Sequence, residues 1–245
     1  MILRDISFDD PYYNLYYDEV LLYMAECSRI GEVLRFWESD RFFVVLGRVS
    51  RIEEDVYVDV AVKDNIPILR RCSGGGTVLQ GKGCFNYSLI LSKTIRPQIR
   101  DLYGSYRYVL DRVVSVLQDM GVNAQIFPVS DIAIANTAMK ISGNAQRRGR
   151  YFILHHGTIL YDFAIDKISC YLKIPVVQPE YRKNRDHVDF LTNVSIDIAL
   201  FKRKFKIVFD VTEEHDILTE YERYLLSRDD FEGKKKATVV IRDLL

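Results

Sequence analysis

Apolar side chains recur at two spacings along this chain, and the spacing separates helices from strands. Between 99 and 120, Leu102, Tyr106, Val109, Leu110, Val113, Val116, Leu117 and Met120 return every three or four positions, and the run stops at Gly121. That period predicts the longest helix, closed by a glycine. A second helix is predicted over 12–28, where Leu15, Glu19, Leu22 and Tyr23 share helical spacing behind an Asp10-Pro11 start. The segments 32–37 and 42–47 are short apolar runs joined by Glu38-Ser39-Asp40-Arg41, the pattern of a hairpin. Further strands are expected over 67–71, 76–80 and 84–91, interrupted by Ser-Gly-Gly-Gly and Gly-Lys-Gly, and again over 131–136 and 151–162. A short helix at 166–172, helix-like stretches at 197–208 and 214–226, and a closing strand at 237–242 complete the pattern. Hairpin-sized strands with helices inserted between them predict an α+β fold, a mixed and mostly antiparallel sheet flanked by helices. No repeat, low-complexity tract or Gly/Ser linker interrupts the chain, so 1–195 is expected as one domain and 196–245 as its helical extension.

Charge and composition remove several function classes. Lys plus Arg and Asp plus Glu both total 34, so no net field draws the molecule to nucleic acid or to an anionic membrane, and neither is expected as a partner. The longest charge-free stretches, 120–130 and 151–161, have 11 residues, where a membrane-spanning helix needs about 20. The opening MILRDISFDD places acids where a secretory leader has an apolar run, and Cys27, Cys72, Cys84 and Cys170 show no paired spacing. A reducing cytoplasm is therefore expected, with neither a disulfide frame nor a zinc site.

Four segments carry candidate chemistry. Arg70-Arg71-Cys72-Ser73-Gly74-Gly75-Gly76-Thr77 lies between two strand-like runs. Three glycines let backbone N–H groups approach an anion, and arginine forks suit phosphate or carboxylate oxygens. The same residues also read as a solvated hairpin turn. Around Lys140, Met139-Lys140-Ile141-Ser142-Gly143-Asn144 is otherwise uncharged. A lysine there is either an electrophilic clamp facing an anion or an edge residue with its stem packed. Asp131 is a turn cap or a ligand for magnesium or a ribose. His155 and His156 are adjacent on a strand and point to opposite faces, so at most one reaches a site. The polar stretch 178–187 has the length of a lid or of a plain surface loop, and the basic runs 147–150 and 234–236 lack the interleaved aromatics of a nucleic-acid surface.

The order of these motifs is more specific than any one of them. Arg-Arg-x-Ser-Gly-Gly-Gly-Thr, then Gly-x-x-Asn-Tyr-Ser, Ser-Asp-x-Ala, Met-Lys-Ile-Ser-Gly-Asn-Ala-Gln-Arg-Arg and His-His-Gly-Thr-Ile-Leu-Tyr-Asp follow one another within 70–162. This succession resembles the lipoate-protein ligase A family, in the broader group of biotin and lipoate protein ligases and octanoyltransferases. The resemblance implies the fold of the class II synthetase and biotin ligase catalytic domain over 1–195. It implies an adenylate-binding turn made of Arg71, Ser73, Gly74, Gly75, Gly76, Thr77, Val78 and Leu79. It also implies a catalytic Lys140 holding the lipoyl carbonyl and adenylate phosphate, with Gly143 behind it. Asn86 and Asp131 would belong to the nucleotide site, Asp131 with Mg2+, and His156, Gly157 and Thr158 would flank a lipoyl tunnel. Trp37 and Leu46 are expected in the tunnel wall, with plain core as the other reading of Trp37.

The implied reaction joins ATP and lipoate, or octanoate, into an acyl adenylate and passes the acyl group to a carrier lysine. Carrier domains of 2-oxoacid dehydrogenases or the glycine cleavage H protein are the implied partners. An acidic or neutral carrier surface would suit the basic loops around Arg147 and Arg182. The chain departs from the family at Gln80-Gly81-Lys82-Gly83-Cys84, where an acid and an asparagine are usual, and in its length, which leaves room for an accessory subunit. Sibling octanoyltransferases carry the acyl group on a cysteine. Here 128–140 contains none, and Cys170 lacks a following glycine. Adenylation is therefore the expected chemistry, with thioester acyl transfer or a partner-dependent ligase subunit as the alternatives.

Overall fold

The computed structural model describes residues 1–128 and 130–228, together with the backbone of 239–241. In chain order the elements are β1 (Ile2–Asp5), α1 (Pro11–Glu26), β2 (Val33–Trp37), β3 (Phe43–Leu46), α2 (Ile52–Asp55) and α3 (Val58–Lys63). Next come β4 (Ile68–Arg70), β5 (Val78–Gln80), β6 (Cys84–Ser92), α4 (Leu102–Asp119), β7 (Ala124–Phe127), β8 (Asp131–Ile134), β9 (Lys140–Arg148) and β10 (Phe152–Leu160). The chain continues through α5 (Asp166–Tyr171), α6 (His187–Phe190), α7 (Ile198–Val208), β11 (Glu213–Glu214), α8 (Glu220–Ser227) and β12 (Val239–Ile241). Among the described residues an eight-stranded sheet runs β11-β1-β2-β6-β10-β9-β8-β7, and a four-stranded sheet runs β12-β4-β3-β5. Pairing is antiparallel except where β1 meets β11 and β2, and where β3 meets β4. This is the expected α+β architecture.

The strands of the large sheet alternate sides, and each side has its own cover. Leu34, Phe36, Phe85, Tyr87, Leu89 and Leu91 pack against α4 and against Phe201, Phe205 and Phe209 from the end of the chain. Val33, Trp37, Ile90 and Leu154 face the other way, onto α1 and the β3 and β4 residues Phe43, Val45 and Leu69. A third cluster, around Val44, Leu46, Leu79 and Cys84, fills the outer side of the small sheet. Helix α4 carries the apolar stripe predicted for it, is capped by Asp101 and ends two residues before Gly121. No described helix is long and apolar enough to cross a membrane.

Three sequence expectations are corrected. The runs at 32–37 and 42–47 do not form a hairpin. β2 pairs with β6 in the large sheet, whereas β3 pairs with β4 and β5 in the small one. Both strands are buried along their whole length, which a surface hairpin with one wet face does not allow, so each joins a sheet covered on both sides. Strand β9 was not signalled by the pattern, because polar and small residues alternate with one another there and no apolar period exists. The helix expected at 214–226 starts only at Glu220, where Thr219 and Glu222 form a capping box, and 213–214 is a strand pairing with β1. The closing strand survives as β12 against β4, and the basic run 234–236 lies outside the described residues.

Candidate active site

The central strands β9 and β10 set the site through their alternation. Gly143, Ala145, Arg147, His156 and Thr158 turn toward α1 and the small sheet, while Ser142, Asn144, Gln146 and His155 turn toward α4. On the first side the glycine loop between β4 and β5 folds over the strands, so that a Cβ on Gly75 would touch Ala145 at 3.7 Å. Gly75 has φ +85°, a conformation that favours glycine.

One end of the site is built on β8 and β9. Asp131 and Gly143 are cross-strand partners, and the Lys140 ammonium sits over Gly143, where a Cβ would come within 2.9 Å of Nζ. Glycine at 143 thus gives the lysine its place. Lys140 Nζ contacts Asp131 Oδ1 at 2.8 Å, and the Tyr181 hydroxyl donates to Asp131 Oδ2 at 2.7 Å. Burial, then the Asp131 charge, raises the Tyr181 phenol, which stays a proton donor. Thr158 Oγ1 accepts from the Gly143 N–H at 3.4 Å.

The other end joins the glycine loop to α1. Arg71 donates to the carbonyls of Gly74 and Gly76, both at 2.7 Å, and through Nε to Ser73 Oγ at 3.1 Å. Its fork shapes the loop from inside and engages two of the loop's carbonyls. Ser73 Oγ meets His156 Nε2 at 2.6 Å, and His156 Nδ1 lies 3.6 Å from Asp18 Oδ2. A carboxylate beside Nδ1 keeps the proton there, so Nε2 accepts from Ser73. Asp18 in turn receives Arg35 at 2.7 Å and the Ser88 hydroxyl at 2.6 Å. Burial would raise this carboxyl, but Arg35, His156 and Ser88 together hold it below the usual carboxylate range.

Other expected site residues are placed differently. The Asn86 amide is spent on Gln80, through bonds of 2.8 and 3.2 Å, and on the Cys84 carbonyl at 3.0 Å. It braces β5 against β6, with Gln80 standing where the family pattern differs. Thr77 Oγ1 donates to Asp55, and Leu79 is core. Val78 is partly buried against the cluster that contains Trp37. Trp37 and Leu46 are both buried but belong to different clusters, on opposite sides of the small sheet, so they do not line one wall together.

The stretch 178–187 is neither an open lid nor a solvated loop. Tyr181 reaches Asp131, Arg185 donates to the Ala138 carbonyl at 2.8 Å, and the Thr192 N–H donates to the Lys140 carbonyl at 3.0 Å. Arg182 is buried, with its guanidinium 4.6 Å above the Phe190 ring, so it offers no docking charge. Arg147 contacts Glu19 at 3.3 Å, and Arg148 holds the carbonyls of Ile99 and Arg100.

Asp18 and Arg35 lie at the candidate site and were passed over by motif reading, as was the contact of Tyr181 with Asp131 inside the 178–187 stretch. Asp18 and Arg35 had a signal: each is a charge inside an apolar helix or strand that had to find a buried partner. Tyr181 had none. No thiol is ready at the site. Burial, with Glu19 next in effect, pushes Cys72 up to about 12, and burial likewise raises Cys84. Cys27 and Cys170 are exposed.

Known proteins resemble this chain in sequence and in fold. A "Probable lipoate-protein ligase A" of Mycoplasma pneumoniae is 31% identical over 164 residues, 67% of this chain and 46% of that protein. "Lipoate-protein ligase A subunit 1" of Thermoplasma acidophilum is 27% identical over 237 residues, 90% of this chain and 88% of that protein. The octanoyltransferase LipM of Staphylococcus aureus is also similar, 26% over 180 residues and 65% of each chain. The chain spans about half the length of several curated relatives it matches. Among solved structures, a lipoate-protein ligase A bound with ATP superposes with a TM-score of 0.72 at 26% identity, covering 95% of this chain and 94% of that one. Residues 10–210 match the family described as the lipoyl protein ligase A/B catalytic domain, and the chain belongs to that family.

Proposed function

We propose that the chain is an ATP-dependent lipoate-protein ligase that activates lipoate or octanoate and transfers the acyl group to a lysine of a carrier domain. One observation carries this reading: a half-buried lysine ammonium, Lys140, over Gly143 on the strand whose Ala145 lies under the glycine loop, at a site where no thiol is poised to act. In the first step a carboxylate oxygen attacks the α-phosphorus and pyrophosphate leaves. In the second, the carrier's amine attacks the acyl carbon and AMP leaves. Lys140 offsets charge that grows on the phosphoryl and carbonyl oxygens, and the Ser73 hydroxyl, oriented by His156, sits at the glycine loop. Removing one such preorganised donor costs about 3–4 kcal/mol of transition-state stabilisation.

Mg2+ in nucleotide sites is held by one or two carboxylates together with phosphates and water. The described residues contain no group of three potential metal ligands, and Asp131 is a single carboxylate at the lysine end, which fits that shared arrangement. Asp131 would hold the ion, which would offset phosphate charge. The ATP-bound relative supports a nucleotide here, and the relative named as a subunit supports a second chain for the complete reaction. We assign 1–195 as the catalytic domain and 196–245 as its extension, since Phe201, Phe205 and Phe209 complete the main core.

Pyrophosphate exchange into ATP by the purified chain, with lipoate, octanoate, biotin or no acid, tests the proposal. Exchange stimulated by lipoate or octanoate is expected, and Lys140→Ala should lower it by about 10²–10³-fold. Full exchange in that variant overturns the role of Lys140. No exchange with any acid, together with acyl transfer from a thioester donor, overturns the ligase in favour of the octanoyltransferase reading that the LipM relatives represent.

A further inference from the structure

The two histidines of β10 serve opposite sides of the sheet. His156 faces the glycine loop, whereas His155 is fully buried on the α4 side of the sheet. Its surroundings form a chain of hydrogen bonds in which each orientation follows from the one before. Arg148, which can only donate, reaches Gln146 Oε1 at 3.3 Å, and the Ser105 hydroxyl, its one proton shared between the Leu102 carbonyl at 2.7 Å and Gln146 Oε1 at 2.9 Å, lies on the same side, so the Gln146 amide nitrogen points to His155 and donates to Nδ1 at 2.9 Å. With Nδ1 an acceptor, the proton lies on Nε2, which donates to Asn144 Oδ1 at 3.2 Å. The Tyr87 hydroxyl donates to the same oxygen. Two donors therefore hold Oδ1 on their side and turn the Asn144 nitrogen away. That nitrogen donates to the Ser130 carbonyl at 2.9 Å and to Ser142 Oγ at 3.1 Å.

Ser130 is the residue before Asp131. If Asn144 flipped, its oxygen would face the Ser130 carbonyl, two acceptors would oppose each other, and the backbone presenting Asp131 would lose its tether. Gly157 belongs to the same device, because a Cβ there would overlap the Asn144 oxygen and the Tyr87 hydroxyl. Burial, with the neighbouring His156 second, pushes the His155 imidazole down to about 3, so it stays neutral and keeps one tautomer through the physiological range.

We propose that His155 is a positioning residue for the Asp131 and Lys140 pair, acting through Asn144 and the Ser130 carbonyl. The proposal rests on the reading above that this pair serves the nucleotide site. Its structural part is independent of the reaction catalysed.

Two substitutions separate positioning from packing. His155→Phe keeps a ring against Tyr87 and Tyr106 but removes both nitrogens. His155→Gln restores one acceptor and one donor. The first readout is competitive acetylation of the full chain by acetic anhydride, with Lys140 followed by mass spectrometry against the other lysines. Loosening Asp131 releases the Lys140 amine, so His155→Phe should label at Lys140 several-fold faster than wild type, and His155→Gln at close to the wild-type rate. The second readout is the exchange assay, where the half-saturating ATP concentration should rise roughly tenfold in His155→Phe, a typical cost of losing an orienting partner, with that for the acid unchanged. Tyr87→Phe, which removes one of two donors to Asn144, should shift both readouts the same way by less, and it replaces His155→Phe if that variant does not fold.

Unchanged Lys140 labelling in a folded His155→Phe, or failure of His155→Gln to restore it, overturns the positioning role. Altered labelling in a chain whose wild type shows no exchange upholds the positioning role and overturns the ligase reading.

Discussion

Two carboxylate and cation pairs of nearly the same length stand at the two ends of the site. Arg35 and Asp18 meet at 2.7 Å with side-chain exposures of 0% and 3%, whereas Lys140 and Asp131 meet at 2.8 Å with 23% and 11%. The first pair is saturated. Arg35 also donates to the carbonyls of Ile6 and Asn14, and Asp18 takes Ser88 and faces His156. The second pair keeps donors free, because an ammonium has three N–H groups and only one bond of Lys140 to a side chain is present among the described residues. The contrast teaches that a buried charge fully spent on the protein is architecture, while a half-buried charge with donors to spare is available to a ligand.

The largest effect should come from breaking the saturated pair. Arg35→Met leaves Asp18 buried without its main counter-charge and should cost about 3–5 kcal/mol, lowering Tm by on the order of 10 °C in thermal unfolding. A loss below about 1 kcal/mol would mean that water reaches Asp18 and that the two pairs do not differ as described. Lys140→Ala should do the reverse. Its adenylation rate should fall by about 10²–10³-fold, while stability changes by no more than about 1 kcal/mol, since a partly exposed pair contributes little to folding. A large drop in Tm would place Lys140 with the architecture.

The same contrast explains what the sequence made legible. Helix α4 and the glycine loop are local: one follows from an apolar period, the other from three consecutive glycines. Lys140 stood out as a lone charge in an uncharged stretch. The Asp18 contact with His156 was invisible because it joins residues far apart in the chain through a helix packing angle. The division of β2 and β3 between sheets was likewise hidden, since two short, mostly apolar strands read the same whether they pair with each other or with distant partners. β9 was missed for the opposite reason: polar or small residues stand on both of its faces, Gly143 on one and Asn144 and Gln146 on the other, so it has no continuous apolar face to display.

Acid should erode the sheet through His155 well before it reaches the Asp18 carboxyl. The unfolded imidazole titrates near 6.5 and the folded one at about 3. Between those values the unfolded chain binds more protons, so this group's stability is fully present above pH 6.5 and is lost as pH falls toward 3. From pH 7 to pH 5 the loss should be about 2 kcal/mol, measured by urea unfolding, with His187, also held low by burial, adding in the same direction. His155→Phe should flatten the slope in this window. An unchanged slope in that variant would show that the imidazole is already protonated in the fold and that the hydrogen-bond chain runs differently.

The smallest effect tests how far the second pair is open. The Tyr181 hydroxyl occupies Asp131 Oδ2, and Lys140 occupies Oδ1, so the carboxylate has no oxygen wholly free for a cation. If Asp131 takes up Mg2+ with the nucleotide, one of these bonds must lengthen, and the neutral phenol costs less to displace than the ammonium. Tyr181→Phe should then lower the Mg2+ concentration that half-saturates exchange, by an amount corresponding to one neutral hydrogen bond, about 0.5–1.5 kcal/mol or roughly two- to tenfold. The acid and ATP dependences should stay within about twofold, because the phenol touches neither end of the glycine loop. A higher Mg2+ requirement would mean that the phenol holds Asp131 in its working position, and that the lysine end of the site is as internally committed as the Arg35 and Asp18 pair.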